Sequence, residues 1–190
     1  SKNVVLGPRR GQPYGSVSWC AVRDVQKIDD DFYRLVKKYI RIKPEIKERA
    51  ERIYREIFPT EDKVLGVGIR AGFKRGEITG VGYHAHPKGP DIDGYIAEVH
   101  RVMEELGYDY IFVSCDDRYY MERMKKAFGA KCLYFQRELR NYFNDEGNIA
   151  DNEDVLIELN KRNVVDRNKD YIIEILLLSK CDSLYAVASG

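Results

Sequence analysis

Tyr110-Ile111-Phe112-Val113-Ser114-Cys115-Asp116-Asp117-Arg118 is the stretch on which the fold turns. Residues Tyr110 to Ser114 form an apolar run typical of a strand buried on both faces. Before it, Tyr95, Val99, Val102, Met103 and Leu106 recur at helical spacing up to Gly107. After it, Tyr120, Met124, Ala127 and Phe128 do the same up to Gly129. A strand set between helices implies crossover connections and hence a parallel α/β sheet.

Outward from this stretch, Val64 to Ile69 reads as an earlier strand and Cys132 to Phe135 as a later one. Asp170 to Ser179 reads as an apolar helix and Ser183 to Val187 as a final strand. Upstream, Pro44 suits the first position of a helix carrying Ile46, Ala50, Ile53, Tyr54, Ile57 and Phe58, which Pro59 ends. Asp31 opens a shorter helix through Tyr39. Ser1 to Asp29, rich in Gly and Pro, reads as an extended segment belonging outside this core. Asn141 to Asn168 is polar and partly loop, with a turn of helix expected at Val155, Leu156 and Leu159. The expected organisation is an extended segment with linker helices over 1–60, then a Rossmann-like domain over 61–190.

A chain of 190 residues can bury roughly 70% of its unfolded surface, so it needs no metal or disulfide staple. Its 44% hydrophobic and 12% aromatic content excludes a disordered chain. Lys and Arg total 32 against 31 for Asp and Glu, which gives neither the basic footprint of a nucleic-acid binder nor a polybasic membrane patch. No apolar run approaches the ~20 residues of a membrane helix. Arg9 and Arg10 are followed by no apolar stretch, so no signal peptide is read there. The first residue is Ser1 rather than Met, so a processed or trimmed start is expected. Cys20, Cys115, Cys132 and Cys181 stand far apart, which argues against a structural zinc or a redox pair. Free thiols in core strands point to a reducing, cytoplasmic setting.

Ligands of open parallel sheets bind beyond the carboxyl ends of the strands. That rule selects Gly68 to Lys74, Ser114 to Arg118, Gln136 to Arg140 and Ala188 to Gly190. Arg70, among glycines at a strand exit, suits bidentate phosphate binding, with a surface ion pair as the plainer alternative. Gly66, Gly68 and Ala71 match the letters of a dinucleotide fingerprint, with Asp91 near its acidic position. Gly72, Gly76, Gly80 and Gly82 leave no room for the helix that fingerprint needs, so an NAD site is disfavoured.

Of Asp116 and Asp117, one is expected to cap the next helix, leaving the other for a ligand. Glu174 lies in a helix apolar nearly all round, so its carboxylate should have a buried partner or a ligand, with an internal salt bridge or an exposed sliver of the helix as the plainer alternatives. Asp91-Ile92-Asp93 resembles the Asp-x-Asp of metal-dependent sugar transferases, but helix capping is the favoured reading. His84 and His86 alternate as a metal pair might, and a loop is favoured there. Ser189 and Gly190 could donate to a phosphate or simply form a turn.

Four segments taken in order carry a resemblance: Tyr39 to Lys47, Val64 to Arg70, Tyr110 to Arg118, and Leu176 to Leu184 running on to Ser189. Together, over about Ile40 to Gly190, they are similar to the C-terminal, nucleotide-binding half of the GT-B fucosyltransferase-like glycosyltransferases. That group includes the core, protein-O- and nodulation-type enzymes. The resemblance implies transfer of fucose, or a related sugar, from a GDP-sugar to a glycan or protein hydroxyl, with no metal and no other cofactor. It implies that Arg70 contacts the β-phosphate of the leaving diphosphate. It likewise implies that Asp116, Asp117, Glu174 and Ser189 line the donor nucleotide, with Arg137 and Arg140 in positions where related sequences also carry Arg.

Two departures stand out. Gly68 replaces the family's His, and Phe73 holds the usual downstream Asp position, so neither residue can move a proton. The acceptor-binding N-terminal half of the family is not among these residues. The alternative is therefore a non-catalytic nucleotide- or glycan-binding relative.

Overall fold

The computed structural model describes residues 4–6 (as backbone only), 33–69, 91–137, 139 and 164–186. Five strands form one sheet: β1 (Val4–Leu6), β2 (Val64–Ile69), β3 (Tyr110–Cys115), β4 (Cys132–Tyr134) and β5 (Ser183–Ala186). Their order is β1-β5-β2-β3-β4, and every pairing is parallel. The helices are α1 (33–39), α2 (Pro44–Ile57), α3 (Ile92–Leu106), α4 (Arg118–Phe128) and α5 (Val164–Leu178). This is the Rossmann-like α/β architecture expected from the alternation of strands and helices.

Side-chain alternation along the strands supplies two cores. Leu65, Val67, Ile69, Ile111, Val113 and Cys115 face α3 and α4, where they meet Tyr95, Val99, Met121 and Met124. Val64 and Phe112 face the other way, with Ile46, Ala50 and Ile53 of α2 and Ile173 and Leu177 of α5. Both faces are thus covered, which is why β2 and β3 read as continuous apolar runs.

Local signals fix the helix ends. Pro44 sits in the first turn of α2, where its missing N–H costs no bond, and Phe58 leaves the helix in an extended conformation before Pro59. Asp91 caps α3 by accepting from the Asp93 N–H at 3.3 Å, and Gly107 closes it in the left-handed region at φ 66°.

Three expectations are corrected. Ser1 to Asp29 does not lie wholly outside the core, because Val4–Leu6 pairs with Leu184, Tyr185 and Ala186 as an edge strand. β5 would otherwise leave that row of backbone groups without a ladder partner. The helix expected over Asp170 to Ser179 starts earlier, at Val164. Its first turns face solvent, Val165 and Asn168 being exposed, so no apolar spacing marks them. α2, expected to be a linker helix, packs its buried face into the same core as α5 and the sheet, so residue 60 marks no break in packing there. The expected turn of helix at Val155, Leu156 and Leu159 lies outside the described residues.

Candidate functional site

Strand order defines where a ligand crevice can open. From β2 the chain winds through α3 to β3 and through α4 to β4, then returns through α5 to β5 on the opposite side of β2. The winding reverses between β2 and β5, and in such sheets the crevice opens beyond the carboxyl ends at that reversal. Arg70 directly follows β2, and Ser189 comes three residues after β5. Both side chains, with Arg140, His84 and His86, lie outside the described residues.

The described part of the site is a buried charge cluster next to this reversal, at the ends of β3 and β4. Arg137, three residues beyond β4, is almost wholly enclosed, and Glu174 on α5 is 1% exposed. Arg137 Nη2 donates to Glu174 Oε2 at 2.7 Å and to the Cys115 carbonyl at 2.9 Å. Burial alone pushes the Glu174 carboxyl pKa up, while Arg137 and the Ser114 hydroxyl pull it down and Asp116 pushes it up again. Burial is the largest influence on Arg137 and works against its charge, but the bond to Glu174, the Glu174 charge and the nearby Asp116 together outweigh it, so the guanidinium is held more firmly protonated than usual. Glu174 Oε1 is enclosed with no hydrogen-bond partner among the described residues. Glu174 therefore has the buried partner its apolar helix demands, and that partner is another expected nucleotide-side residue.

The acidic doublet divides its work. Asp117 is fully buried and caps α4, Oδ1 accepting from the Tyr120 N–H at 3.2 Å. Cys115 Sγ lies 3.4 Å from both the carbonyl and the amide nitrogen of Asp117, fixing the turn. Burial pushes the Cys115 thiol far above its ordinary range, so it stays protonated at neutral pH. Asp116 is half-buried, and its charge acts on both Arg137 and Glu174. The capping expectation thus falls on Asp117.

The Asp91-Ile92-Asp93 expectation resolves the same way: Asp91 is a cap, and Asp93 forms an ion pair with Arg123 of α4. Among the described residues, no group of three His, Cys, Asp or Glu could hold a metal ion, and no helix is long and apolar enough to cross a membrane. Cys115, Cys132 and Cys181 are buried free thiols.

Gly68 lies opposite Ser114 in the β2–β3 register and opposite Ala186 in the β2–β5 register. A Cβ at residue 68 would stand 3.3 Å from the Ala186 Cβ, so a side chain there requires its neighbour to give way slightly. The sequence reading placed Ser114 and Cys115 within the strand end Ser114 to Arg118 but gave neither the Ser114 hydroxyl nor the Cys115 carbonyl a part in the cluster. Strand parity was the available signal for Ser114, which faces the α5 side together with Phe112.

No protein-family model matches the chain, and a search of curated proteins finds no match.

Proposed function

We propose that the chain is the donor-binding domain of a glycosyltransferase, transferring fucose or a related sugar from a GDP-sugar to a glycan or protein hydroxyl. One observation carries this reading: the strand that Arg70 follows is central in an all-parallel sheet, at the reversal where such sheets take phosphate ligands. The cluster of Asp116, Arg137 and Glu174 at the neighbouring strand ends supports it, since the resemblance assigns Asp116 and Glu174 to the nucleotide and places Arg137 where related sequences also carry Arg.

In this reading the acceptor oxygen attacks the anomeric carbon as the bond to the diphosphate breaks. Arg70 stabilises the negative charge that builds on the departing β-phosphate. Removing one such preorganised donor typically costs about 3–4 kcal/mol, on the order of 10²–10³ in rate. Arg137 and Glu174 hold the floor of the nucleotide side, and Ser189 donates to the phosphates. The nucleotide sugar and the acceptor are the partners. Gly68 supplies no base, so the acceptor proton leaves to a group outside the motif.

A second reading, a nucleotide- or glycan-binding relative without turnover, is favoured by the side-chain-free position at Gly68 against Ala186. Incubation of the protein with GDP-fucose and measurement of released GDP separates the two. Binding together with donor consumption that is lost in Arg70→Ala supports the transferase. Binding with no consumption supports the second reading.

A further inference from the structure

The even balance of charge over the whole chain conceals a local excess. Tyr33 to Lys43 holds Arg34, Lys37, Lys38, Arg41 and Lys43 with no Asp or Glu, and the rest of the chain carries more acids than bases. The acidic run Asp29 to Asp31 precedes this segment, so its attraction for an anionic partner must rest on more than charge. The second element is apolar. Tyr33, Leu35, Tyr39 and Ile40 are between 54% and 68% exposed, and they are half of the exposed large hydrophobics among the described residues.

Helical winding of about 100° per residue sorts the two kinds of side chain. Arg34, Lys37 and Lys38 fall on one arc of α1. Tyr33, Leu35, the half-buried Val36, Tyr39 and Ile40 fill the opposite arc. The Ile40 N–H donates to the Val36 carbonyl at 2.9 Å, which carries the turn that far. Arg41 folds back on the helix end, its guanidinium donating to the Lys37 and Ile40 carbonyls. Lys37 and Lys38 stand at the two borders of the apolar arc. Lys37 Nζ lies 4.7 Å from the Tyr33 ring centroid, and Lys38 Nζ lies 5.2 Å from that of Tyr39.

An apolar arc bordered by lysines and tyrosines is the pattern of a helix lying in a lipid headgroup layer. Aliphatic side chains enter the acyl boundary, tyrosine rings sit at headgroup level, and lysine stems reach up to the phosphates. Cations spread over five positions suit a plane of many phosphates better than a single carboxylate. The seven residues of α1 span about 10 Å, so the helix lies along such a surface and does not cross it.

We propose that α1 docks the protein on an anionic phospholipid surface, with Leu35, Tyr39 and Ile40 inserted and Lys37 and Lys38 on lipid phosphates. Arg34, Arg41 and Lys43 add attraction at longer range. This goes beyond the donor-domain reading and does not rest on it: a chain that takes up no GDP would still bind the surface, and a chain that ignores lipid could still bind GDP.

The test is sedimentation of the whole chain with vesicles of phosphatidylcholine, with and without about one-third phosphatidylserine. Wild type is expected to bind the anionic vesicles about tenfold or more better than the neutral ones, and to be released by about 0.5 M salt. Lys37→Glu with Lys38→Glu is expected to weaken binding by about tenfold or more, since each cation near such a surface contributes about fivefold. Tyr39→Ser with Ile40→Ser is expected to weaken it comparably. All four side chains are exposed, so both double variants should keep the wild-type unfolding midpoint. Equal binding to the two vesicles, no binding, or wild-type binding by either double variant overturns the proposal. Should a variant not fold, the lipid and salt dependence of wild type decides. Light scattering tests the rival occupant: a wild-type dimer that Tyr39→Ser with Ile40→Ser converts to monomer makes this face an interface between copies and overturns the membrane role.

Discussion

Arg137 and Glu174, 37 residues apart in sequence, form an ion pair of 2.7 Å that is sealed from solvent, and the same guanidinium nitrogen holds the last carbonyl of β3. The pair ties the segment after β4 to α5 across the end of β3. Removing one partner leaves the other charge buried, which typically costs about 3–5 kcal/mol. Glu174→Ala should lose that much in denaturant unfolding. The double variant Glu174→Leu with Arg137→Met should recover most of the loss. Additive losses in the double variant would show that the two groups act separately.

The same carboxyl makes stability depend on pH. Burial raises its folded-state pKa above the unfolded glutamate value of about 4.3, so the native state keeps a proton that the unfolded chain releases. Its favourable contribution is complete below the unfolded value and is lost as pH rises from there through the folded value. Wild type should therefore lose stability relative to Glu174→Gln as pH rises through that window, and the difference should level off above it. A difference that grows in favour of wild type over the same window would mean that folding lowers this pKa instead of raising it.

Gly66 is set by close packing rather than by backbone freedom. A Cβ there would lie 3.2 Å from the Cys181 Cβ and Sγ and from Leu178 Cδ2, where the end of α5 presses on β2. Gly66→Ala should destabilise the fold by about 1–3 kcal/mol in urea unfolding. Gly107→Ala probes a different cause, the left-handed backbone at φ 66° with open space around it. A Gly66→Ala protein as stable as wild type would show that α5 does not approach β2 this closely.

The strands that lie between two helical layers were legible because burial on both faces writes an unbroken apolar run. β2 occupies Val64–Ile69, as its sequence indicates, and β3 extends one residue further, to Cys115. β1 was not legible, since three residues carry no period and only the exposed edge of β5 gives them a place. The first half of α5 was hidden for a related reason. It is held by exposed pairs such as Asp166 with Lys169, which leave no apolar stripe. At the site, the rule that a buried carboxylate needs a partner identified Glu174 as unusual. Sequence could not name Arg137 as the partner, because their meeting depends on the return of the chain across the sheet.

The central claim, that Arg70 holds a diphosphate at the reversal of the sheet, is tested most directly by titrating GDP into wild type and Arg70→Ala by calorimetry. The account predicts binding to wild type that weakens about ten- to hundredfold in the variant, whose unfolding midpoint stays unchanged. Equal affinity in the two proteins, or no heat of binding with wild type, contradicts it.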